Sequence, residues 1–147
     1  MESKHTALIC LGANTPDAAA RISDATDMLR SLCHIGRITP SYRTAPEYAG
    51  ETVPYLNCLL EVTTAYSFNE LSAVTKSYQT AVRTAAAAAQ LIAIDIDIVV
   101  WDGEVKRAAD FNSAYLRKGL PLMQAESKKT QMNRLQATKK SIINAKR

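Results

Sequence analysis

Apolar and acidic residues alternate along Ile94-Asp95-Ile96-Asp97-Ile98-Val99-Val100-Trp101. This period of two is that of a β-strand, whose successive side chains point to opposite faces. It predicts Ile94, Ile96, Ile98 and Val100 on one face and Asp95, Asp97, Val99 and Trp101 on the other. Three more strands are expected. Thr6 to Gly12 is a short apolar run ended by Gly12-Ala13-Asn14, Ile35 to Arg43 is the second candidate, and Tyr55 to Thr63 alternates so that Tyr55 and Asn57 share a face.

Helical spacing occupies the intervals. Thr15-Pro16-Asp17 reads as a helix start, with a capping hydroxyl, Pro at the first helical position and an acid in the first turn. Ile22, Ala25, Leu29 and Leu32 follow as one apolar stripe. Ser67-Phe68-Asn69-Glu70 has the form of a capping box ahead of Leu71, Val74, Tyr78 and Val82. The order strand, helix, strand, strand, helix, strand is the ferredoxin-like βαββαβ pattern of an α+β domain, with helices on one face of an antiparallel sheet. Between strands two and three, Thr44 to Pro54 carries two prolines and a glycine and reads as a loop of functional length. Asp102-Gly103 marks a turn, with Glu104-Val105-Lys106 as a hairpin return. The run Ala85 to Ala89 favours helix on propensity yet stands at a helix-to-strand junction.

The 147-residue length suffices for one core without disulfide or metal staples. Domain 1–125 is expected to fold, followed by a basic tail, 126–147, of marginal helix or disorder. That tail holds seven Lys and Arg against Glu126, a balance of +6, so the overall +4 leaves −2 for the body. No apolar run reaches membrane-span length, and Met1 to His5 leads into too short an apolar stretch for a secretory signal. Cys10, Cys33 and Cys58 are odd in number and far apart. They read as free buried thiols in a reducing cytoplasm, and a structural zinc site is disfavoured.

Asp95 and Asp97 carry the candidate chemistry. On one strand face their Cα atoms lie roughly 6.5–7 Å apart. At about 6 Å and an effective dielectric near 20, their repulsion is about 3 kcal/mol. Either a hard divalent cation such as Mg²⁺, shared with phosphate oxygens, or neighbouring Lys and Arg side chains would offset it.

Leu11-Gly12-Ala13-Asn14, Ser41-Tyr42-Arg43-Thr44-Ala45-Pro46, Tyr55-Leu56-Asn57 and Ile94-Asp95-Ile96-Asp97-Ile98 follow one another in an order and spacing that resembles 6-hydroxymethyl-7,8-dihydropterin pyrophosphokinase of folate biosynthesis. The resemblance runs from about Thr6 to Trp101. It implies an enzyme that transfers pyrophosphate from ATP to the pterin's hydroxymethyl oxygen with two Mg²⁺ ions. In that reading Asp95 and Asp97 hold the metal, and Tyr55 and Asn57 contact the pterin. Gly12, Thr44 and Pro46 line the same pocket, and Arg83 contributes to ATP binding. The partners implied are small molecules.

The departures from the family pattern fall on the nucleotide side. Gln79 or Tyr78 stands near the family's glutamate, only Arg83 matches its arginines, and Leu91-Ile92-Ala93 replaces its Pro-Arg pair. Phe111 or Tyr115 is left to supply a second stacking ring. Missing guanidiniums imply weaker ATP binding, or Lys106, Arg107 or tail lysines in their place. A pterin-binding protein with reduced catalysis is the alternative. Nucleic-acid binding is disfavoured, because two aspartates on the fourth strand would repel phosphate.

Overall fold

The computed structural model describes residues 4–46, 50–83, 91–107 and 113–145. Strands β1 (His5–Ala13), β2 (His34–Ile38), β3 (Tyr42–Thr44), β4 (Tyr55–Thr64), β5 (Asp95–Trp101) and β6 (Glu104–Val105) form one antiparallel sheet. Helices α1 (Ala18–Leu32), α2 (Phe68–Arg83) and α3 (Ala114–Ala145) complete the described elements. The strand order β2-β4-β1-β5-β6, with β3 also on β4, gives the α+β, ferredoxin-like architecture expected from the alternation of periods. No helix is long and apolar enough to cross a membrane among the described residues. The run Ala85–Ala89 and Phe111 lie outside the described residues.

The second predicted strand divides at Pro40, which has no N–H to give a ladder. Thr39 bridges the break: its N–H donates to the Leu59 carbonyl at 3.0 Å, and its hydroxyl accepts from the Leu59 N–H at 3.0 Å. The capping box before α2 forms as expected, Ser67 Oγ accepting from Glu70 N and Glu70 Oε1 from Ser67 N. At the other helix start, Asp17 is the cap residue but makes no side-chain cap bond.

Two cores flank the sheet. Under α1 and α2 lie Ile9, Leu11, Ile22, Leu29, Leu60, Leu71, Ile94 and Ile96. On the opposite face α3 packs over Cys10, Tyr42, Leu59 and Val99 through Leu116 and Met123. Gly119 permits that approach, because a Cβ there would overlap the Tyr42 hydroxyl and the Leu59 side chain. Past this contact Arg37 reaches α3, donating to Ser127 Oγ at 2.5 Å, and Lys128, Lys129, Lys139 and Lys140 stand exposed. The helix runs without interruption through position 126.

The β5 alternation holds from Ile94 to Ile98 and then breaks. Ile98 pairs with Ile9 but Val100 with Leu8, so Val99 is an extra, bulged residue. Trp101 therefore joins the helix-side core beside Ile98, and Val100 packs toward α3, the reverse of the predicted faces. Trp101 stacks on His5 with centroids 5.0 Å apart and meets the edge of Phe68 at 5.6 Å. Asp102 and Gly103 both adopt positive φ, 48° and 80°, and close the β5–β6 hairpin.

Candidate active site

Antiparallel register brings residues from four strands into one row. Tyr42 on β3 pairs with Asn57 on β4, Asn57 with Gly12 on β1, and Gly12 with Asp95 on β5. Leu59, Cys10 and Asp97 form the next row, and Thr44 pairs with Tyr55 on the other side. Side chains at paired positions share a face. Tyr55, Asn57, Asp95 and Asp97 thus stand on the face against which α3 packs.

The Asn57 end of the row is held by hydrogen bonds. Asn57, 4% exposed, donates its amide to Thr44 Oγ1 at 2.8 Å and to the Tyr42 carbonyl at 3.5 Å. Its Oδ1 lies over Gly12, 3.2 Å from where a Cβ would stand, with Tyr55 Cδ1 at 3.9 Å. The glycine is what leaves room there. The Tyr55 hydroxyl donates to Glu51, and the Tyr42 hydroxyl to the Tyr115 carbonyl at 2.6 Å. Thr44 is buried. Pro46 is half-buried two residues beyond, and no described contact ties it to this cluster.

Burial, then the charge of the neighbouring Asp97 carboxylate, pushes the Asp95 carboxyl up to about 6, against the opposing pull of Lys76 and Arg83. Arg83, at the end of α2, is exposed but within electrostatic reach of Asp95. Two cations meet Asp97 at one oxygen: Lys76 Nζ is 3.3 Å and Arg107 Nη1 3.4 Å from Oδ1. Lys106 is elsewhere, over the Phe68 ring at 5.0 Å and 3.3 Å from Glu104. Among the described residues no third His, Cys, Asp or Glu completes a metal cluster. Two adjacent carboxylates, whose mutual repulsion a divalent ion would relieve, fit a hard cation whose other positions are left to water and phosphate oxygens.

Three contributors escaped the sequence pattern. Gln79 and Lys76 occupy the edge of β5: the Ile96 N–H donates to Gln79 Oε1 at 2.9 Å, and Lys76 Nζ donates to the Ile96 carbonyl at 2.7 Å. They satisfy the backbone groups that an edge strand leaves open. Asn14, 4% exposed, ties β1 to the segment before β5, with its Oδ1 accepting from Ile92 N at 2.5 Å and its N–H donating to the Ile92 carbonyl at 2.9 Å. For Gln79 the available signals were its place near the family's glutamate and a polar residue at a helical spacing that suits the core.

A comparison with curated proteins returns no match. The profile of one family does match, across residues 8–139, extending past Trp101, where the recognisable sequence features stop, into most of α3. With the βαββαβ sheet and the Asp95–Asp97 pair in place, the chain belongs to the 7,8-dihydro-6-hydroxymethylpterin-pyrophosphokinase (HPPK) family.

Proposed function

We propose that Asp95 and Asp97 bind Mg²⁺, two ions in all, and that the cluster of Gly12, Thr44, Tyr55 and Asn57, with Pro46 at its rim, holds the pterin. Family membership implies the reaction itself: pyrophosphate transfer from ATP to hydroxymethyldihydropterin in folate synthesis, by an ATP-dependent diphosphokinase. The observation that carries the residue assignment is the row Asn57–Gly12–Asp95, which sets a fixed amide beside the acid pair on one face. Asn57 would read the heterocycle's donors and acceptors, and the Tyr55 ring would stack on it. Asp95 and Asp97 orient the polyphosphate toward the pterin hydroxyl. Arg83 adds positive charge at the nucleotide end, and residues 1–125 form the catalytic unit, with 126–147 as a basic C-terminal tail. Mg²⁺, when bound, supplies charge neutralisation on the phosphates, the main demand of phosphoryl transfer.

The test is release of AMP from ATP with hydroxymethyldihydropterin and Mg²⁺ supplied. Asp95→Ala and Asp97→Ala should each lower turnover at least about a hundredfold, roughly 2.7 kcal/mol of barrier. Unchanged turnover in both variants would refute the assignment. A second reading, pterin binding with weakened catalysis, is favoured by one feature: Lys76 and Arg107 are already engaged on Asp97. Calorimetry separates the two, since pterin binding in the absence of any ATP binding supports only the second.

A further inference from the structure

Lys76 has an ammonium with three donors and three acceptors around it. Two of these, the Ile96 carbonyl at 2.7 Å and Gln79 Oε1 at 3.3 Å, belong to fixed parts of the fold. The third is Asp97 Oδ1 at 3.3 Å, the oxygen that also meets Arg107. The Asp97 side chain is 14% exposed and that of Lys76 50%, so the pair stands at the rim of the acid site rather than beneath it.

A divalent ion on Asp97 cannot share that oxygen comfortably with two cations. Its approach favours release of the ammonium from the carboxylate. A polyphosphate arriving with the metal brings new anionic oxygens to the same place. Lys76 can turn one donor toward them while the other two keep α2 bonded to the β5 edge.

Resting on the metal-site reading above, we propose that Lys76 is an exchangeable counter-ion, paired with Asp97 when no nucleotide is present and with the polyphosphate of a metal-bound nucleoside triphosphate when one is. It would supply charge neutralisation that this chain's few arginines near the acids do not. Removing it has opposite effects on the two ligands. Metal alone competes with Lys76 and gains from its loss, whereas the nucleotide loses a partner. Metal and nucleotide are then coupled through one side chain, and each promotes binding of the other.

The experiment measures Mn²⁺ binding to the nucleotide-free protein by electron paramagnetic resonance, and ATP binding at saturating Mg²⁺ by calorimetry. A unit charge about 4–5 Å from a divalent ion, even at near-bulk dielectric, changes a dissociation constant about tenfold. Lys76→Met should therefore tighten Mn²⁺ about tenfold and weaken ATP by a similar factor. Lys76→Gln, which can still donate to the Ile96 carbonyl, should show the same opposite pair of shifts and guards against loss of the β5 edge. Weakening of both ligands, or an unchanged Mn²⁺ constant in Lys76→Gln, overturns the proposal and leaves Lys76 as an edge clamp. Asp97→Asn, run in parallel, distinguishes the failures. If it leaves Mn²⁺ binding intact, the metal site is misassigned; if it abolishes binding while Lys76→Gln changes nothing, only the counter-ion exchange is wrong.

Discussion

Replacing Asp95 by Asn should make the ligand-free protein more stable while removing half of the proposed metal site. The Asp95 carboxyl is displaced from its ordinary 3.8 up to about 6, chiefly by burial and then by Asp97. Between those two values the folded chain holds the proton more firmly than the unfolded chain, so stability falls as pH rises through this window. Above about pH 6 the full cost applies, about 2–3 kcal/mol at 1.36 kcal/mol per unit. An asparagine has no charge to desolvate and can donate to Asp97 from the same position. Asp95→Asn is therefore expected to raise the melting temperature by about 4–12 °C near pH 7.5, at roughly 2–4 °C per kcal/mol for a chain of this size. The gain should shrink to nothing below about pH 4, where the native carboxyl is protonated in both states. Scanning calorimetry across that pH range, with a chelator present, measures both. Adding Mg²⁺ and ATP should then stabilise the wild type and not the variant. A variant no more stable than the wild type at pH 7.5, or a gain independent of pH, would refute the argument from burial.

Two glycines give further outcomes. Gly119→Ala sets a Cβ against Tyr42 and Leu59, and should cost about 1–3 kcal/mol by overpacking, read as a lowered denaturation midpoint. Alanine's better helix propensity acts the other way by at most about 1 kcal/mol, so a stabilised variant would contradict the close contact. Gly12→Ala places a methyl 3.2 Å from Asn57 Oδ1 and should weaken pterin binding about tenfold by calorimetry, with the melting temperature changed by less than about 4 °C. Undiminished pterin affinity would place the heterocycle elsewhere.

Much of this architecture was legible from periodicity, and the exceptions have identifiable causes. The first helix stripe packs as read, with Ile22, Ala25 and Leu29 buried. The strand expected to run unbroken over 35–43 splits instead, because Pro40 has no N–H for the ladder. The β5 bulge was not announced, since Ile98-Val99-Val100-Trp101 is apolar at every position and carries no period. In α2 the expected stripe was displaced: Val74 is 40% exposed, while Thr75 and Gln79 are buried at 0% and 7%. A pattern of hydrophobicity cannot find these residues. Gln79 is drawn inward by β5, whose outer edge offers a backbone N–H that its side chain satisfies, while the buried Thr75 hydroxyl donates to the Ser72 carbonyl within α2.

The candidate site depends on register more than on any local sequence feature. Tyr42, Asn57, Gly12 and Asp95 come from four strands, and nothing in their separations along the chain reveals that they form one row. Their alignment is set by the opposite face. Leu56, Cys58, Leu60 and Val62 of β4, with Ile9 and Leu11 of β1, all bury into the helix-side core. A slip of one residue would turn that whole set to the other face and carry Asn57 into the hydrophobic interior. Burial of the core and placement of the amide beside Gly12 are thus one constraint, enforced with the full energy of the sheet. The acid pair gains from a different property of its strand. Near Ile96, β5 has β1 on one side and the side chains of α2 on the other, so it takes an ammonium instead of another strand. A central strand would leave no such place. The edge position is what lets a cation reach Asp97 from outside the sheet, and under the proposed function the same opening would admit a polyphosphate.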